Sequence, residues 1–61
     1  MNQYRIILLG PTGAELSSGY MFAIDDEAAC ASAQRLMGSN ERATAVQVLR
    51  DRQLICSYER A

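Results

Sequence analysis

The stretch YMFAIDDEAACASAQRLM, residues 20–37, holds the one clear change of periodicity in this chain of 61 residues. Its first part has the period of two that is typical of a strand. Its second part is rich in alanine and other good helix formers. The acidic triplet at 25–27 lies at the change, where carboxylates accept hydrogen bonds from free backbone N–H groups and oppose the positive end of a helix dipole. The stretch therefore predicts a strand followed by a helix over about 26–37, with Gly38 as a left-handed C-cap.

One face of the predicted helix is apolar and consists mainly of small side chains. Its residues follow helical spacing, which indicates a buried stripe. Small side chains allow a helix to lie close to the layer beneath it. The stripe contains Ala29, Cys30, Ala33, Leu36 and Met37.

Strand patterns flank the helix on both sides. The turn at 10–13 joins the first two strands, because Pro11 presets φ at its position and Gly13 accepts a positive φ. Gly19 is expected to mark a β-bulge in the second strand. A polar turn without glycine, at 50–53, joins the last two strands, and the final three residues are expected to fray. The predicted strands cover residues 4–9, 14–24, 43–49 and 54–58.

The predicted fold class is α+β, in the order β-β-α-β-β, as a single domain over residues 1–61. One four-stranded, mostly antiparallel sheet carries the single helix on one face, because one helix covers only one side of such a sheet. The strand order 2-1-3-4 follows if the helix crosses over the first strand in a right-handed connection.

The alternation along the strands divides their residues between two faces. The face under the helix is predicted to carry Tyr4, Ile6, Leu8, Tyr20, Phe22, Ile24, Val46, Val48, Leu54, Cys56 and Tyr58. The other face is predicted to carry Arg5, Ile7, Leu9, Met21, Ala23, Ala45, Gln47, Leu49, Ile55 and Ser57. Two alternatives stay open: a bulge at Gly19 changes the parity, or loops and tails cover this second face.

Five large apolar side chains stand on the face that the helix does not cover. Each of them contributes about 1.5–3 kcal/mol when it is buried. An exposed apolar patch of this size is typical of an interface. The predicted interface residues are Ile7, Leu9, Met21, Leu49 and Ile55.

The charged residues argue against several classes of function. Six arginines against seven acidic residues, with a net charge of −1, disfavour nucleic-acid binding unless an oligomer gathers the arginines on one face. Because the chain has no histidine, it lacks Ser–His and Cys–His pairs and imidazole metal ligands. The turn at 10–13 lacks the lysine of a phosphate-binding loop. We expect no enzymatic activity, no metal and no cofactor.

The cysteines and the apolar segments bear on location. Cys30 and Cys56 are interpreted as reduced, small buried side chains, with a disulfide between them as the alternative. The apolar run at 6–9 is too short for a signal peptide, and no segment is long enough to span a bilayer. These observations predict a cytoplasmic protein without a membrane segment.

The layout resembles that of short uncharacterised bacterial proteins that are common in alphaproteobacteria. The resemblance rests on the start Tyr4-Arg5-Ile6, the Gly13 turn, the acidic helix start at 25–29 and the closing hairpin from Val46 to Tyr58. It implies the β-β-α-β-β fold and no particular activity.

Two functions follow from the sequence as hypotheses. The first is a non-enzymatic protein-interaction module that forms a homodimer, or binds a protein partner, through the helix-free face. The alternative is a small-ligand-binding or antitoxin-like regulatory subunit, in which Tyr4, Tyr20 and Tyr58 line a cleft.

Overall fold

Four strands and one helix follow one another in the predicted order in the computed structural model, which describes residues 1–60. The α+β fold class is therefore confirmed, with strand and helix ends that move by no more than two residues from the predicted ones. The elements are β1 Asn2–Leu9, β2 Glu15–Ala23, α1 Asp26–Gly38, β3 Ala45–Arg50 and β4 Gln53–Glu59.

The sheet has the order β2-β1-β3-β4, and every neighbouring pair is antiparallel. β2 and β3 are therefore parallel to each other and flank β1, so that the connection through α1 passes over β1. The predicted strand order is confirmed. β2 and β4 are the two edge strands.

Both hairpin turns have local chemical causes. At the first turn, the Gly13 N–H donates to the Gly10 carbonyl at 2.9 Å, and Gly13 has a φ of 82° that other residues adopt at a cost. At the second turn, Asp51 and Arg52 both have positive φ, at 51° and 69°. Two positive φ values in a two-residue loop are the signature of a type I′ hairpin, which matches the twist of the flanking strands.

The two ends of α1 differ in how well the sequence predicts them. The Asp25 carboxylate accepts a hydrogen bond from the Ala28 N–H at 2.8 Å, which confirms the acidic N-cap. The predicted left-handed C-cap at Gly38 is wrong. Gly38 is the last residue of the helix, and the cap is Ser39 with φ −88° and ψ −3°. The Ser39 hydroxyl donates to the Leu36 carbonyl instead.

The core lies between α1 and the two central strands. Ala29 and Ala33 are completely buried, so that the helix backbone approaches the sheet closely, as the small side chains predict. Leu36 is an exception, because it is 46% exposed at the outer side of the predicted stripe. The buried residues are Tyr4, Ile6, Leu8, Ala23, Ala29, Ala33, Ala43, Val46 and Val48.

A disulfide joins Cys30 of α1 to Cys56 of β4, with the two Cα atoms 6.5 Å apart. The interpretation of both cysteines as reduced is therefore wrong, and the alternative holds. Cys56 lies on the helix side of β4, opposite Val48, and Cys30 faces it from the second turn of α1. The bridge ties the helix to an edge strand that is far from it in the sequence.

Arg60 closes the fold at the opposite end of the helix. Its backbone N–H donates to the Thr44 carbonyl at 2.7 Å. Its guanidinium donates to the carbonyls of Met37 and Asn40, at the helix end and in the following loop, and to that of Ala43. Fraying at Glu59 and Arg60 is therefore wrong, since β4 includes Glu59 and Arg60 is bonded, whereas Ala61 lies outside the described residues.

Each edge strand contains one bulge. In β2 the register passes from Ser17 to Glu15 opposite consecutive residues of β1, so that Leu16 is the extra residue. In β4 it passes from Cys56 to Leu54, so that Ile55 is the extra residue. The predicted bulge at Gly19 is wrong, because Gly19 pairs in register with Ile6.

Candidate functional site

The open face, as we call the side of the sheet away from α1, is arranged in rows of paired residues. Residues opposite each other in antiparallel strands share a face. One row contains Glu15, Leu9, Ala45 and Glu59, the next Ser18, Ile7, Gln47 and Ser57, and the third Tyr20, Arg5, Leu49 and Leu54. Phe22 lies beyond the third row, opposite Gln3.

Three of the five predicted interface residues lie on the open face. Ile7, Leu9 and Leu49 belong to the central strands and are half-buried by their neighbours. The structure brings them together as predicted, on β1 and β3. Whether they form an interface stays a prediction.

The other two predicted interface residues lie on the helix side. Met21 pairs with Tyr4, and Ile55 packs against the core as the bulged residue of β4. Their placement on the open face was wrong, as was that of Ala23, which is buried. The open face instead presents Tyr20, Phe22 and Leu54, which are 70%, 64% and 53% exposed.

The bulges explain these exchanges. A one-residue change of register moves every following side chain to the other face. In β2 the bulge is at Leu16, and the strand then runs without interruption through Gly19, so that Tyr20 and Phe22 point away from the helix. Ile24 follows the strand and is 70% exposed. The length of the first turn is the sequence signal that bears on the faces of β2, because turn length sets the register of a hairpin.

The open face is chemically polarised along the strands. One end carries the carboxylates of Glu15 and Glu59 on the two edge strands. The other end carries the exposed Tyr20, Phe22 and Leu54 and the half-buried Leu49, which we call the apolar corner, and Arg5 stands between Tyr20 and Leu49 in the same row. Sequence reasoning missed this corner because it assigned three of these residues to the helix side.

A cleft opens beside the apolar corner, where β1 extends beyond its last pairing with β3. We call it the arginine cleft. It has a volume of about 620 Å³. Three of the six arginines of the chain line it, together with two aromatic rings, two apolar side chains, two amides and one carboxylate. The lining residues used below are Asn2, Arg5, Tyr20, Leu49, Arg50, Asp51 and Arg52.

Asp26 joins the cleft to the start of the helix. The Tyr4 hydroxyl donates to its carboxylate at 2.6 Å, and the Arg50 guanidinium donates to the same oxygen at 3.3 Å. Arg50 also reaches the Asn2 side-chain oxygen at 3.5 Å. The hydrogen bond to Asp26, with burial as the second cause, raises the pKa of Tyr4. The phenol therefore stays protonated and holds β1 to the helix.

Two further findings concern residues 1–60. No helix there has the length and the hydropathy that a membrane span needs. No group of three or more histidine, cysteine, aspartate or glutamate side chains converges there as a metal site would require. Tyr4 and Tyr20 both line the arginine cleft, although they belong to opposite faces of the sheet. Tyr58 does not line it, so the three tyrosines do not share one cleft.

Fold and site together define a small, disulfide-bridged α+β domain with one covered and one uncovered sheet face. Comparison with protein-family models, with curated proteins and with solved structures gives no match. The resemblance to short alphaproteobacterial proteins therefore stays a prediction.

Proposed function

We propose that this protein is a non-enzymatic interaction module that associates with a second copy of itself through the open face. The observation that carries the proposal is the exposure of Tyr20, Phe22 and Leu54, which are between 53% and 70% exposed on one side of the sheet. Exposed large apolar side chains on an uncovered sheet face are typical of an interface, and here they stand on both edge strands.

The size of the face suits a dimer. The molecule measures 31 by 20 by 16 Å, so that its broad side offers about 600 Å². A standard interface buries about 800 Å² of accessible surface on each partner. Accessible surface follows every protruding side chain and is therefore larger than the flat area of the same face. Only the broad side comes near this area, and the helix occupies the opposite broad side.

Two orientations of a face-to-face pair differ in what they bring together. A two-fold axis parallel to the strands places β2 over β4 of the second copy, so that Tyr20 contacts Leu54. A perpendicular axis places the apolar corner over the acidic row of Glu15 and Glu59. Burial of each large apolar side chain contributes about 1.5–3 kcal/mol, whereas exposed ion pairs contribute about 0–1 kcal/mol. The parallel axis also places Glu15 over Glu59 of the second copy, but the repulsion between exposed carboxylates is of the same small size as an exposed ion pair, so the magnitudes still favour this axis.

Leu54→Ser tests the proposal. Each copy loses about 1 kcal/mol of apolar burial, so that the dimer should dissociate about thirtyfold more easily in sedimentation equilibrium. The matched control is Leu36→Ser, which removes an equally exposed leucine from the helix and should leave the dissociation constant unchanged. A wild-type protein that stays monomeric at high micromolar concentration would contradict the proposal.

The disulfide bears on where this module works. Disulfides persist in oxidising compartments and are rare in the cytosol. The cytoplasmic location expected from the sequence would keep Cys30 and Cys56 reduced, whereas the bridge between them favours an oxidising environment. The proposed dimer does not depend on this choice, because the bridge lies on the helix side of the sheet.

A further inference from the structure

We infer that the arginine cleft binds a small organic phosphate, with the phosphate held by guanidinium groups and the organic body against Tyr20. This inference goes beyond self-association, because it assigns a ligand to a separate concave site. Its basis is the charge, the pairing and the shape of the cleft.

The charge of the cleft is opposite to that of the chain. Arg5, Arg50 and Arg52 line it, and Asp51 is the one acidic residue in its wall. Asp26 is paired with Arg50, and Asp51 offsets a second guanidinium, so the cleft keeps an excess of about one positive charge in a protein whose net charge is −1. Guanidinium groups bind phosphate through paired, charge-assisted hydrogen bonds.

The three arginines differ in the hydrogen-bond and ion-pair partners of their guanidinium groups. Arg50 is oriented by Asp26 and by the Asn2 side chain. Within residues 1–60, neither Arg5 nor Arg52 has a hydrogen bond or an ion pair to its guanidinium. Arg5 and Arg52 are therefore the guanidiniums that are available to an anion, whereas Arg50 is held by Asp26 at the helix side of the cleft.

The turn places Arg52 at a position where a side chain is unfavourable. Its φ of 69° is the left-handed region, in which glycine is the usual residue of a type I′ hairpin. An arginine here costs conformational energy that glycine would avoid, and such outliers are common at binding sites. The two-residue turn also leaves the backbone beneath Arg52 little freedom.

The chemical class of the ligand follows from the guanidinium donors and from the apolar side chains that line the cleft. A phosphate monoester carries close to two negative charges and three acceptor oxygens, so it can accept hydrogen bonds from the two available guanidiniums at once more readily than a carboxylate can. The exposed Tyr20 ring and Leu49 offer an apolar surface for a flat group. A volume of about 620 Å³ accommodates a ligand of nucleotide size.

The experiment is an NMR titration with adenosine 5′-monophosphate, with adenosine and benzoate as comparison probes. The nucleotide should shift amides at 2–5 and 49–53, and should bind at least tenfold more tightly than either comparison probe. Equal binding of adenosine would overturn the role of the phosphate. Equal binding of benzoate would overturn the choice of phosphate over carboxylate.

Arginine variants locate the site. Arg52→Gln and Arg5→Gln should each weaken binding of the nucleotide about tenfold, as expected for the loss of one charge-assisted contact. Arg42→Gln is the matched control, because Arg42 is exposed in the loop before β3 and its guanidinium has no partner within residues 1–60. Equal losses in all three variants would show a general charge effect and overturn the inference.

The inference is separable from the proposed dimer, although the two share Tyr20 and Leu49. Leu54 does not line the cleft, so the Leu54→Ser protein should bind the nucleotide whether or not it associates. Because the dimer contact and the ligand share Tyr20, the deciding sample is the Leu54→Ser protein at a concentration at which it is monomeric, and absence of nucleotide binding there would overturn the cleft alone. A monomeric wild-type protein that binds the nucleotide would overturn the dimer alone.

Discussion

The two edge strands of this sheet are held in very different ways. β4 carries Cys56, which is bonded to the helix, and Ile55 and Tyr58 pack against the core on either side of it. β2 exposes every residue except Met21 and Ala23, and its helix side carries the small residues Ser17 and Gly19 near the middle. The contrast shows that side chains and a covalent bond, and not the position of the helix alone, decide how firmly each edge is held.

Space is left beside the helix at both edges, and at β4 a cleft of about 500 Å³ is bordered by the Cys30–Cys56 bond. A groove of about 370 Å³ opens between the helix and β2, and its walls include Ile6, Leu8, Gly19 and Leu36. β2 is therefore held mainly by its hairpin with β1, whereas β4 is also held by a covalent bond. We expect the two edges to open at different free energies, since local stability follows buried contacts.

Removal of the disulfide should have the largest effect and should make the two edges more alike. The loop between Cys30 and Cys56 spans 26 residues. Loop-closure entropy for such a span corresponds to about 3.5 kcal/mol. The double variant Cys30→Ser, Cys56→Ser should lose about this free energy of unfolding in urea denaturation.

Reduction of the wild-type protein serves as the control for that variant. Treatment with a thiol reductant should produce the same loss, and the reductant should have no effect on the double variant. Equal stability of the oxidised and reduced wild-type proteins would contradict the role of the bridge at the β4 edge.

A rise in pH should weaken the contact between β1 and the start of the helix, where the Tyr4 hydroxyl donates a hydrogen bond to Asp26. The folded state raises the pKa of Tyr4, so the protonated phenol is favoured by folding. This contribution is complete below the unfolded value of about 10 and is lost as the pH rises through the folded pKa. The free energy of unfolding should therefore decline more steeply above pH 10 in the wild type than in Tyr4→Phe.

Ultraviolet absorbance of the phenolate provides an independent measurement. The pH titration of phenolate absorbance should differ between the wild type and Tyr4→Phe by one phenol, and the pKa of that phenol should lie above the ordinary tyrosine value. If Tyr4→Phe has the same alkaline stability profile as the wild type, the hydrogen bond to Asp26 does not hold the helix to β1.

The smallest effect should come from stiffening β2. Gly19 has no positive φ, and a Cβ added there meets nothing within 4 Å. Gly19→Val should stabilise the protein by about 0.5–1 kcal/mol, because glycine in a strand loses more backbone entropy on folding. It should also slow hydrogen exchange in β2 more than in β4.

Gly13→Val is the contrasting variant in the same hairpin. Gly13 also has open space around its Cβ position, but its φ is 82°. The substitution should therefore destabilise the protein. If both variants change stability in the same direction, the backbone conformation does not explain the choice of glycine at these positions.

The sequence predicts the elements and their order well, because local signals define them. The alternating strands, the Asp25 cap and the Gly13 turn each depend on residues close together in the chain. The strand order also follows, since one crossover helix and two hairpins leave few arrangements. These features need no knowledge of the register between strands.

The composition of the open face was harder to predict, because it depends on single residues in the register. The extra residues Leu16 and Ile55 carry no glycine or proline signal that marks a bulge. The disulfide was only the second interpretation of the cysteines for a related reason, since it depends on Cys30 and Cys56 meeting across two elements. The arginine cleft likewise gathers residues from β1 and the last turn, which are far apart in the chain.

The two bulges also restrict how copies of this chain can join. An unpaired edge strand is a template on which another strand can form hydrogen bonds. A bulge twists and interrupts that template, and here Leu16 and Ile55 interrupt both of the available templates. Growth of the sheet into a continuous fibre is thereby opposed at each border, and a closed pair stacked face to face is left as the favoured form of self-association.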